Sequence, residues 1–457
     1  MNDRERFDLA LSALENFDLK TEIELLTPIQ DPEFKRLAAG LLTDAYYLSG
    51  DPDRAASILQ QFHEPEVYSK YLFLKNYRET NPLITRARAE VFGNFFENPN
   101  PIPRNKKSKL RIGIISSDLR EHAVSNFVRP FLNLDSKKFL VQVFSTGRID
   151  SVTKILQKSK VKWHDLFDRD STEIFDLIRR EKIDILIDLA GHSQGNRLEI
   201  FAYRAAPIQI CAIGYTATTG LKSMDYFLTD EICGESAEDH FTEKLLKLKN
   251  CHLCYSPLKI FPETKKSPRN FISFGSFNNI AKLTDEILTA WSQILSRIQN
   301  SKLIIKAKIC SIQSGREILI ERLNRLKLPI DRIELRPFSQ NYLEDYRDVD
   351  ISLDTFPYQG GLTTIESLVM DTPVITIRGN SHGSRFGASI LTNANLSELI
   401  AENLDEYVEK AIDLAKNPDR IKDYRKIIFN SPLTDSKQYT RDLEKCLLQI
   451  WNSKEDF

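Results

Sequence analysis

The spacing of apolar residues divides the chain into a helical beginning and a longer alternating part. Over residues 1–97, apolar residues recur every three or four positions and glycine is rare, which predicts an all-helical region. From residue 110 onward, short apolar runs alternate with amphipathic stretches, which indicates parallel β-strands separated by helices. The pattern therefore predicts an α/β protein with an α-helical region at its start.

One helix pair in the helical region has the spacing of a tetratricopeptide repeat. Its key positions are occupied by Leu42, Tyr46, Gly50, Ala55 and Leu59. The small Ala55 allows the second helix to approach the first closely. Stacked repeats of this kind need about three copies to bury a shared core, and the sequence shows one. We therefore expect the helical region to lean on the domain that follows it.

Two series of strand-like runs predict two further domains. A chain of 457 residues exceeds the size at which a single core stops growing. The first series covers residues 110–118, 139–147 and 183–191, after which its sheet is expected to close. The second series covers residues 271–279, 302–310, 332–338, 349–356 and 372–379.

These runs predict two Rossmann-like domains that face each other across a ligand cleft. Residues 98–109, which are rich in proline and basic side chains, are expected to form the linker before them. The expected domains cover residues 110–265 and 266–430, and a last helix within residues 431–457 is expected to pack back across both. Ligands in such domains bind at the carboxyl ends of the strands.

The composition of the chain gives no indication of a nucleic-acid or membrane partner. The 63 basic residues against 64 acidic ones give a net charge of -1, so a nucleic-acid-binding surface is not indicated. The charged start lacks the apolar segment of a signal peptide, and no run approaches the length of a membrane span. We therefore expect a cytoplasmic protein without a membrane span.

The six cysteines contain one motif with metal-binding spacing. Cys251 and Cys254 form a CxxC with His252 between them, which suggests half of a zinc site. No second CxxC and no close pair of histidines accompanies it in the sequence. The sequence therefore favours buried thiols over a metal site.

Residues 191–195, G-H-S-Q-G, have the signature of a hydrolase nucleophile elbow. Ser193 would then be the nucleophile of an esterase-like enzyme. A second complete sheet begins where the acid and histidine of a triad would be expected, which argues against this hypothesis. In the alternative interpretation the glycines form a tight turn and Ser193 caps a helix.

A second glycine-rich turn has the features of a diphosphate site. Gly360 and Gly361 allow a ligand to approach the backbone closely. Thr363, Thr364 and the start of a helix then supply hydroxyls, free N–H groups and a positive dipole end. Glu366 is suited to accept hydrogen bonds from ribose hydroxyls. Alternatively, Thr363 and Glu366 form a capping box and only begin the helix.

The segment D-T-F-P-Y-Q-G-G-L-T-T-I-E-S-L, residues 354–368, resembles the donor-binding segment of the O-linked N-acetylglucosamine transferase and SPINDLY family. Further matches follow in order at residues 116–127, 188–230, 274–295, 372–391 and 431–451. The resemblance implies the GT-B architecture and a metal-independent, inverting sugar transfer from a nucleoside diphosphate. It also implies that Ser193 is no nucleophile.

The resemblance assigns donor contacts in the second domain. Lys282 matches the family lysine that faces the phosphates. The alternative, a solvated lysine at the start of a helix, is disfavoured by this match. Asn278 and Asn279 are expected to contact the donor beside it, together with Gly360, Gly361, Thr363, Thr364 and Glu366 of the second turn. Asp348 and Asp350 formally give the DxD motif of metal-dependent enzymes, but we interpret them as strand-edge residues.

The resemblance also assigns residues around the acceptor. His122 matches a family histidine on the acceptor side, where it either accepts a proton or positions a substrate. His192, Tyr215 and Thr218 are expected to line the acceptor side of the cleft. Arg385 is expected among the donor-binding residues, organising the cleft.

The substrates implied by the resemblance are a nucleotide sugar and a protein. UDP-N-acetylglucosamine is the first donor expected, and GDP-fucose, UDP-glucose and a non-protein acceptor remain alternatives. Thr216 and Ala217 replace a proline and glycine found in many relatives, Gly361 replaces the histidine of animal members, and Tyr342 stands near the position of another histidine. A scaffold that binds a nucleotide sugar without turnover is the alternative from a different class. No metal or other cofactor is expected.

Overall fold

A computed structural model shows a helical region packed on two α/β domains. The structure describes residues 1–104, 107–258, 261–267, 269–424 and 427–453. Residues 105–106 of the expected linker and residues 454–457 of the expected last segment therefore lie outside the described residues.

The helical region contains six α-helices in chain order. They are α1 (Asp3–Glu15), α2 (Leu19–Leu26), α3 (Pro32–Leu48), α4 (Pro52–Leu59), α5 (Pro65–Lys75) and α6 (Pro82–Gly93). Several begin in the same way: Asp31, Asp51 and Asn81 each accept a first-turn N–H at the start of a helix whose first residue is proline. The expected repeat-like pair is α3 and α4, and the buried Ala55 lies between them.

The helical region packs on both α/β domains and not only on the one that follows it. Asn76 at the end of α5 donates a hydrogen bond to the Tyr215 hydroxyl of the first domain, at 2.7 Å. The Leu19 N–H donates to Ser314 Oγ of the second domain, at 3.0 Å. The helical region therefore makes hydrogen bonds to both α/β domains.

The first domain is built on a seven-stranded parallel sheet with strand order β3-β2-β1-β4-β5-β6-β7. Its strands are β1 (Leu110–Ser116), β2 (Phe139–Ser145), β3 (Lys162–Asp165), β4 (Ile185–Asp188), β5 (Ile208–Cys211), β6 (Tyr226–Asp230) and β7 (Lys244–Leu248). The expectation that the sheet closes soon after residue 191 is wrong, because β5, β6 and β7 extend it. Strands of four or five residues are too short for a periodic pattern to identify them.

The second domain is built on a six-stranded parallel sheet with strand order β10-β9-β8-β11-β12-β13. Its strands are β8 (Ile272–Ser276), β9 (Ser301–Lys306), β10 (Ile333–Arg336), β11 (Ile351–Leu353), β12 (Val374–Ile377) and β13 (Ile400–Ala401). The five runs expected from the sequence each overlap one of these strands. Two Rossmann-like domains preceded by helices confirm the expected GT-B architecture.

Helices connect the strands of both sheets. In the first domain they are α7 (Arg129–Leu132), α8 (Ser151–Leu156), α9 (Ser171–Glu181) and α10 (Leu198–Ala202). In the second they are α11 (Asp285–Arg297), α12 (Gln313–Arg325), α13 (Leu362–Val369), α14 (Phe386–Asn393), α15 (Leu404–Lys416) and α16 (Pro418–Asp423). Across the described parts of the chain, no helix has both the length and the apolar content that a membrane crossing requires.

The last helix, α17 (Ser436–Asn452), returns to the first domain. Thr440 Oγ1 lies 3.3 Å from the Pro130 carbonyl oxygen, and Glu444 accepts the Asp135 N–H at 2.6 Å. The Tyr439 hydroxyl donates to the His252 carbonyl in the segment between the domains, at 2.8 Å. The chain therefore crosses from the second domain back to the first before it ends.

Candidate active site

Asp354, directly after β11, holds the second glycine-rich turn in shape. One of its carboxylate oxygens accepts the N–H groups of Gly360 and Thr355, both at 2.9 Å. The other accepts the Thr376 hydroxyl at 2.8 Å. Burial raises the pKa of this carboxyl, and the donated hydrogen bonds oppose that effect. The sequence interpretation missed Asp354, although an acidic residue at a strand end just before two glycines is a readable signal.

Gly360 is required by the space around it. A Cβ atom at this position would lie 2.3 Å from Thr363 Oγ1 and 2.8 Å from Thr364 Oγ1. The Thr364 hydroxyl donates to the Gly360 carbonyl at 2.9 Å. The turn and the first turn of α13 are therefore packed together without room for a side chain.

The start of α13 lies next to the glycine turn and lacks a side-chain cap. The helix begins at Leu362 after Gly361, and no side chain caps it. The N–H groups of a first helical turn have no partner within the helix, so this end attracts anions. The capping-box alternative is wrong: Thr363 donates to Asn278 Oδ1 at 2.9 Å, and Glu366 accepts a hydrogen bond from the Tyr342 hydroxyl.

Lys282 ends a short 3₁₀-helix beside this turn. Its ammonium group donates to the Gln359 carbonyl at 2.7 Å and lies 4.3 Å from the centre of the Tyr358 ring. Burial lowers the pKa of Lys282 to about 8, and Asp354 opposes that shift. With a pKa of about 8 the side chain is mostly protonated at neutral pH, which puts a positive charge next to the glycine turn.

Residues of the helical region contact the chain on both sides of Lys282 and the ring beside its ammonium group. The Tyr77 ring stacks on the Tyr358 ring, with centroids 4.9 Å apart and an interplanar angle of 18°. The Arg78 guanidinium donates to the carbonyls of Ala281 at 2.6 Å and Leu283 at 3.2 Å. The residues on both sides of Lys282 are thereby fixed by groups that lie more than 200 positions earlier in the chain.

Asn278 and Asn279, expected as donor contacts, point in different directions. The Asn278 side chain lies between Asp354 and Thr363, within the glycine turn. The Asn279 side chain instead donates to the Tyr47 hydroxyl of the helical region, at 2.8 Å. Contact between Asn279 and a donor stays a prediction.

His122 comes from the first domain, in the loop after β1. Its Nδ1 atom lies 3.7 Å from a carboxylate oxygen of the buried Asp118, and its side chain is 40% exposed. Burial lowers the pKa of His122 below its ordinary value, Asp118 opposes this, and Arg120 and Lys308 add to the lowering. Because Lys308 belongs to the second domain, the imidazole faces across the space between the domains. Asp118 is a second residue that the sequence interpretation missed.

Most of the chain, including both α/β domains, matches a known protein family. Residues 93–267 and 262–443 match the model of glycosyl transferase family 41. The chain belongs to this glycosyltransferase family. The family resemblance expected from the sequence is thereby confirmed.

Two similar curated relatives of this chain come from plants. A probable UDP-N-acetylglucosamine–peptide N-acetylglucosaminyltransferase SPINDLY from Hordeum vulgare is 37% identical over 368 residues, which are 77% of this chain and 39% of the relative. The protein of the same name from Arabidopsis thaliana is 36% identical over 366 residues, 76% of this chain and 40% of the relative. The chain thus spans about two fifths of the length of these relatives.

A solved structure matches the whole chain. A mutant of the Thermobaculum terrenum O-GlcNAc transferase superposes with a TM-score of 0.83 at 25% identity, covering 99% of this chain and 98% of that one. The match includes the helical region as well as the two domains that the family 41 model covers.

The first glycine turn of this family 41 chain is closed. His192 is 1% exposed; its Nε2–H donates to the Thr219 carbonyl at 2.9 Å, and its Nδ1 accepts the Ser69 hydroxyl of α5 at 2.8 Å. Among the described residues, the buried Ser193 Oγ has no hydrogen-bond partner, so no serine–histidine pair supports hydrolysis. It also does not cap a helix, because α10 begins only at Leu198.

Tyr215 and Thr218 are also buried. The Tyr215 hydroxyl accepts the Asn76 hydrogen bond of the helical region, and the Thr218 hydroxyl donates to Glu243 at 2.6 Å. In this state they and His192 use their polar atoms on the protein itself. Their expected role on the acceptor side of the cleft stays a prediction that the geometry does not favour.

Arg385 and the aspartates of the D-V-D segment occupy structural positions. Arg385 joins the domains, donating to the Gly379 carbonyl at 2.9 Å and to the Glu235 carbonyl at 2.5 Å. Asp350 pairs with Arg269 at 2.8 Å, and Asp348 pairs with Arg336 at 2.8 Å. Carboxylates engaged by arginines are poor metal ligands, which agrees with their interpretation as strand-edge residues.

Proposed function

We propose that the protein transfers a sugar from a UDP-linked donor to a serine or threonine hydroxyl of a protein, with inversion and without a catalytic metal. The convergence of the Lys282 ammonium group and the uncapped start of α13 on the Gly360 turn carries this proposal. The names of the relatives support UDP-N-acetylglucosamine as the donor and a peptide as the acceptor.

The geometry suits stabilisation of a departing diphosphate. In the reaction the acceptor oxygen bonds to the anomeric carbon while the bond from that carbon to the phosphate oxygen breaks. The electron pair of the broken bond stays on the diphosphate, whose negative charge grows. A fixed ammonium group and free N–H groups in a half-buried site stabilise such charge without reorganisation. Lys282 thereby supplies the cationic charge that a metal supplies in other glycosyltransferases.

We assign His122 as the acceptor of the hydroxyl proton. The lowered pKa keeps the imidazole neutral at pH 7, which is the form that accepts a proton. The buried Asp118 carboxylate at 3.7 Å then stabilises the imidazolium that forms. The charge of Lys308 in the second domain acts on His122 in the first domain, which supports a position of the imidazole beside the space between the two domains.

A donor panel in EDTA tests the proposal. The protein is incubated with an acceptor protein extract and UDP-N-acetylglucosamine, UDP-glucose or GDP-fucose, and nucleotide release and sugar incorporation are both measured. We expect transfer from UDP-N-acetylglucosamine that a divalent cation does not increase. Transfer only with an added cation would contradict the mechanism. Donor binding without any transfer would instead support a scaffold.

A further inference from the structure

Three buried side chains with metal-ligating atoms meet where the two α/β domains join. Cys233 follows β6 of the first domain, His252 lies in the segment between the domains, and His382 follows β12 of the second domain. Their ligand atoms all lie within 4.8 Å of one another. The three residues are 0%, 1% and 3% exposed, respectively. We refer to Cys233, His252 and His382 as the junction cluster.

Both histidines of the junction cluster are oriented in the same way. His252 Nδ1 lies 2.5 Å from a carboxylate oxygen of Asp230, and His382 Nδ1 lies 3.2 Å from the Thr216 carbonyl oxygen. An oxygen acceptor at Nδ1 fixes the hydrogen on that nitrogen and leaves a lone pair on Nε2. Metal-binding histidines show this arrangement, with a carboxylate or backbone carbonyl holding the N–H that is not used for the metal.

His252 Nε2 has no partner to satisfy it. Among the described residues it is a buried nitrogen without a hydrogen bond, although Nδ1 of the same ring has a short one. Buried polar atoms of this kind are uncommon, and a bound ion is one of the causes. His382 Nε2 lies 2.9 Å from the Thr229 hydroxyl, a hydrogen bond that a bound metal ion would replace.

We propose that the junction cluster binds a zinc ion, which joins the two domains and takes no part in sugar transfer. One thiolate and two neutral imidazoles form a ligand set that zinc prefers. Cys233 loses its proton to solvent when the metal binds, and Asp230 orients His252. The fourth coordination position is open to water or to the thiol of Cys251, which lies near Asp230 and His252.

The proposal also explains the incomplete motif at residues 251–254. The sequence provides His252 within a CxxC, but Cys254 is absent from the cluster, and the other ligands come from positions 233 and 382. The junction cluster is distinct from Lys282 and the glycine turn beside it, so a failure of the metal proposal would leave the proposed sugar transfer standing. Its success would likewise not depend on that activity.

A cobalt titration of the full chain tests the site. The protein is dialysed against a strong chelator, returned to chelator-free buffer and titrated with Co²⁺. We expect a thiolate-to-cobalt charge-transfer band that saturates at about one equivalent and disappears when Zn²⁺ is added. A wild-type protein that binds neither ion would overturn the proposal.

Matched cysteine variants locate the site. Cys233→Ser should weaken Co²⁺ binding by at least about tenfold, whereas Cys254→Ser, at a buried cysteine in the same motif as His252, should bind as the wild type does. Equal binding by Cys233→Ser and wild type would place the ion elsewhere and overturn the assignment. Far-UV circular dichroism checks that both variants fold.

His382→Gln provides a second test that does not depend on a cysteine variant folding. Zn²⁺ should raise the Tm of the stripped wild type and raise that of His382→Gln much less, because a ligand that binds only the folded state stabilises it. Equal shifts for both proteins would contradict the proposal. Sugar transfer is measured in the stripped and loaded samples, and we expect it in both.

Discussion

The two glycine turns of this protein start from the same local design. Each follows a short buried strand with an aspartate at its last position or directly after it, and that aspartate accepts N–H groups of the turn. Asp188 accepts the Gly191 N–H at 2.6 Å in the first domain, and Asp354 accepts the Gly360 N–H at 2.9 Å in the second. In both turns a helix follows within a few residues.

The two turns differ in what packs over them. At Gly191, where φ is +53°, a Cβ atom would lie 2.3 Å from Tyr215, and α5 covers the neighbouring His192. The second turn instead has Lys282 at its side and the uncapped start of α13 next to it. A glycine-rich strand–turn–helix segment is thus a scaffold in either case, and the neighbouring elements decide whether it binds a ligand.

Replacement of Lys282 by alanine should have the largest effect on transfer. In the proposed mechanism the ammonium group stabilises the departing diphosphate, so its loss should lower kcat by about 10² to 10³, the magnitude found when one stabilising donor is removed. The measurement is steady-state sugar transfer from UDP-N-acetylglucosamine. Ser193→Ala, in the first turn, is the control and should stay within about twofold of the wild type. A loss below tenfold at Lys282 would contradict the assignment.

The pH dependence should also distinguish the turns. Since the pKa of Lys282 is lowered to about 8, the fraction of ammonium falls above that pH, and kcat/KM should fall about tenfold per pH unit. Lys282→Arg should lose this alkaline limb, because a guanidinium remains charged. An alkaline limb that persists in Lys282→Arg would assign it to another group.

We assign the acid limb of the kcat/KM pH profile to His122 and not to His192. The lowered pKa of His122 puts this limb below pH 6.5, and it should vanish in His122→Asn together with most of the transfer. Burial lowers the pKa of His192 to about 4, so His192 should add no limb above pH 5. An acid limb that survives in His122→Asn would rule out His122 as the proton acceptor.

The two glycines of the second turn form a matched pair. Gly360→Ala places a Cβ atom 2.3 Å from Thr363 Oγ1 and should destabilise the protein by about 1 to 3 kcal/mol while raising KM for the donor. Gly361→Ala meets only Leu253 Cδ1, at 3.2 Å, and Phe386 ring atoms beyond 3.5 Å. It should therefore cost much less. Urea unfolding and KM for the donor measure both, and equal effects would contradict this description of the turn.

Ser69→Ala should separate stability from catalysis at the first turn. The substitution leaves the buried His192 Nδ1 without its donor, which should cost about 1 to 3 kcal/mol in the free energy of unfolding. Because the turn is closed to ligands, kcat should change by less than twofold. A large fall in kcat with unchanged stability would show that the first turn takes part in the reaction.

Local sequence patterns predicted the parts of this molecule that depend on neighbouring residues. The long strands β1 and β2 and the glycine turn at Gly360 could be read from periodicity and turn chemistry. The strands β5 to β7 could not, because four or five buried residues carry no periodic signal. The alternative of a capping box at Thr363 was wrong, since Asn278 of another loop accepts the hydrogen bond of the threonine hydroxyl.

Sequence alone therefore determined the fold class, the family resemblance and the presence of Lys282 beside a glycine-rich turn. Only the tertiary structure decided that Tyr77 and Arg78 support the lysine and that His382 joins Cys233 and His252. Backbone propensity and side-chain spacing act over a few residues, and sequence displays them directly. Contacts between groups more than 100 positions apart depend on how whole elements pack, which no local pattern records.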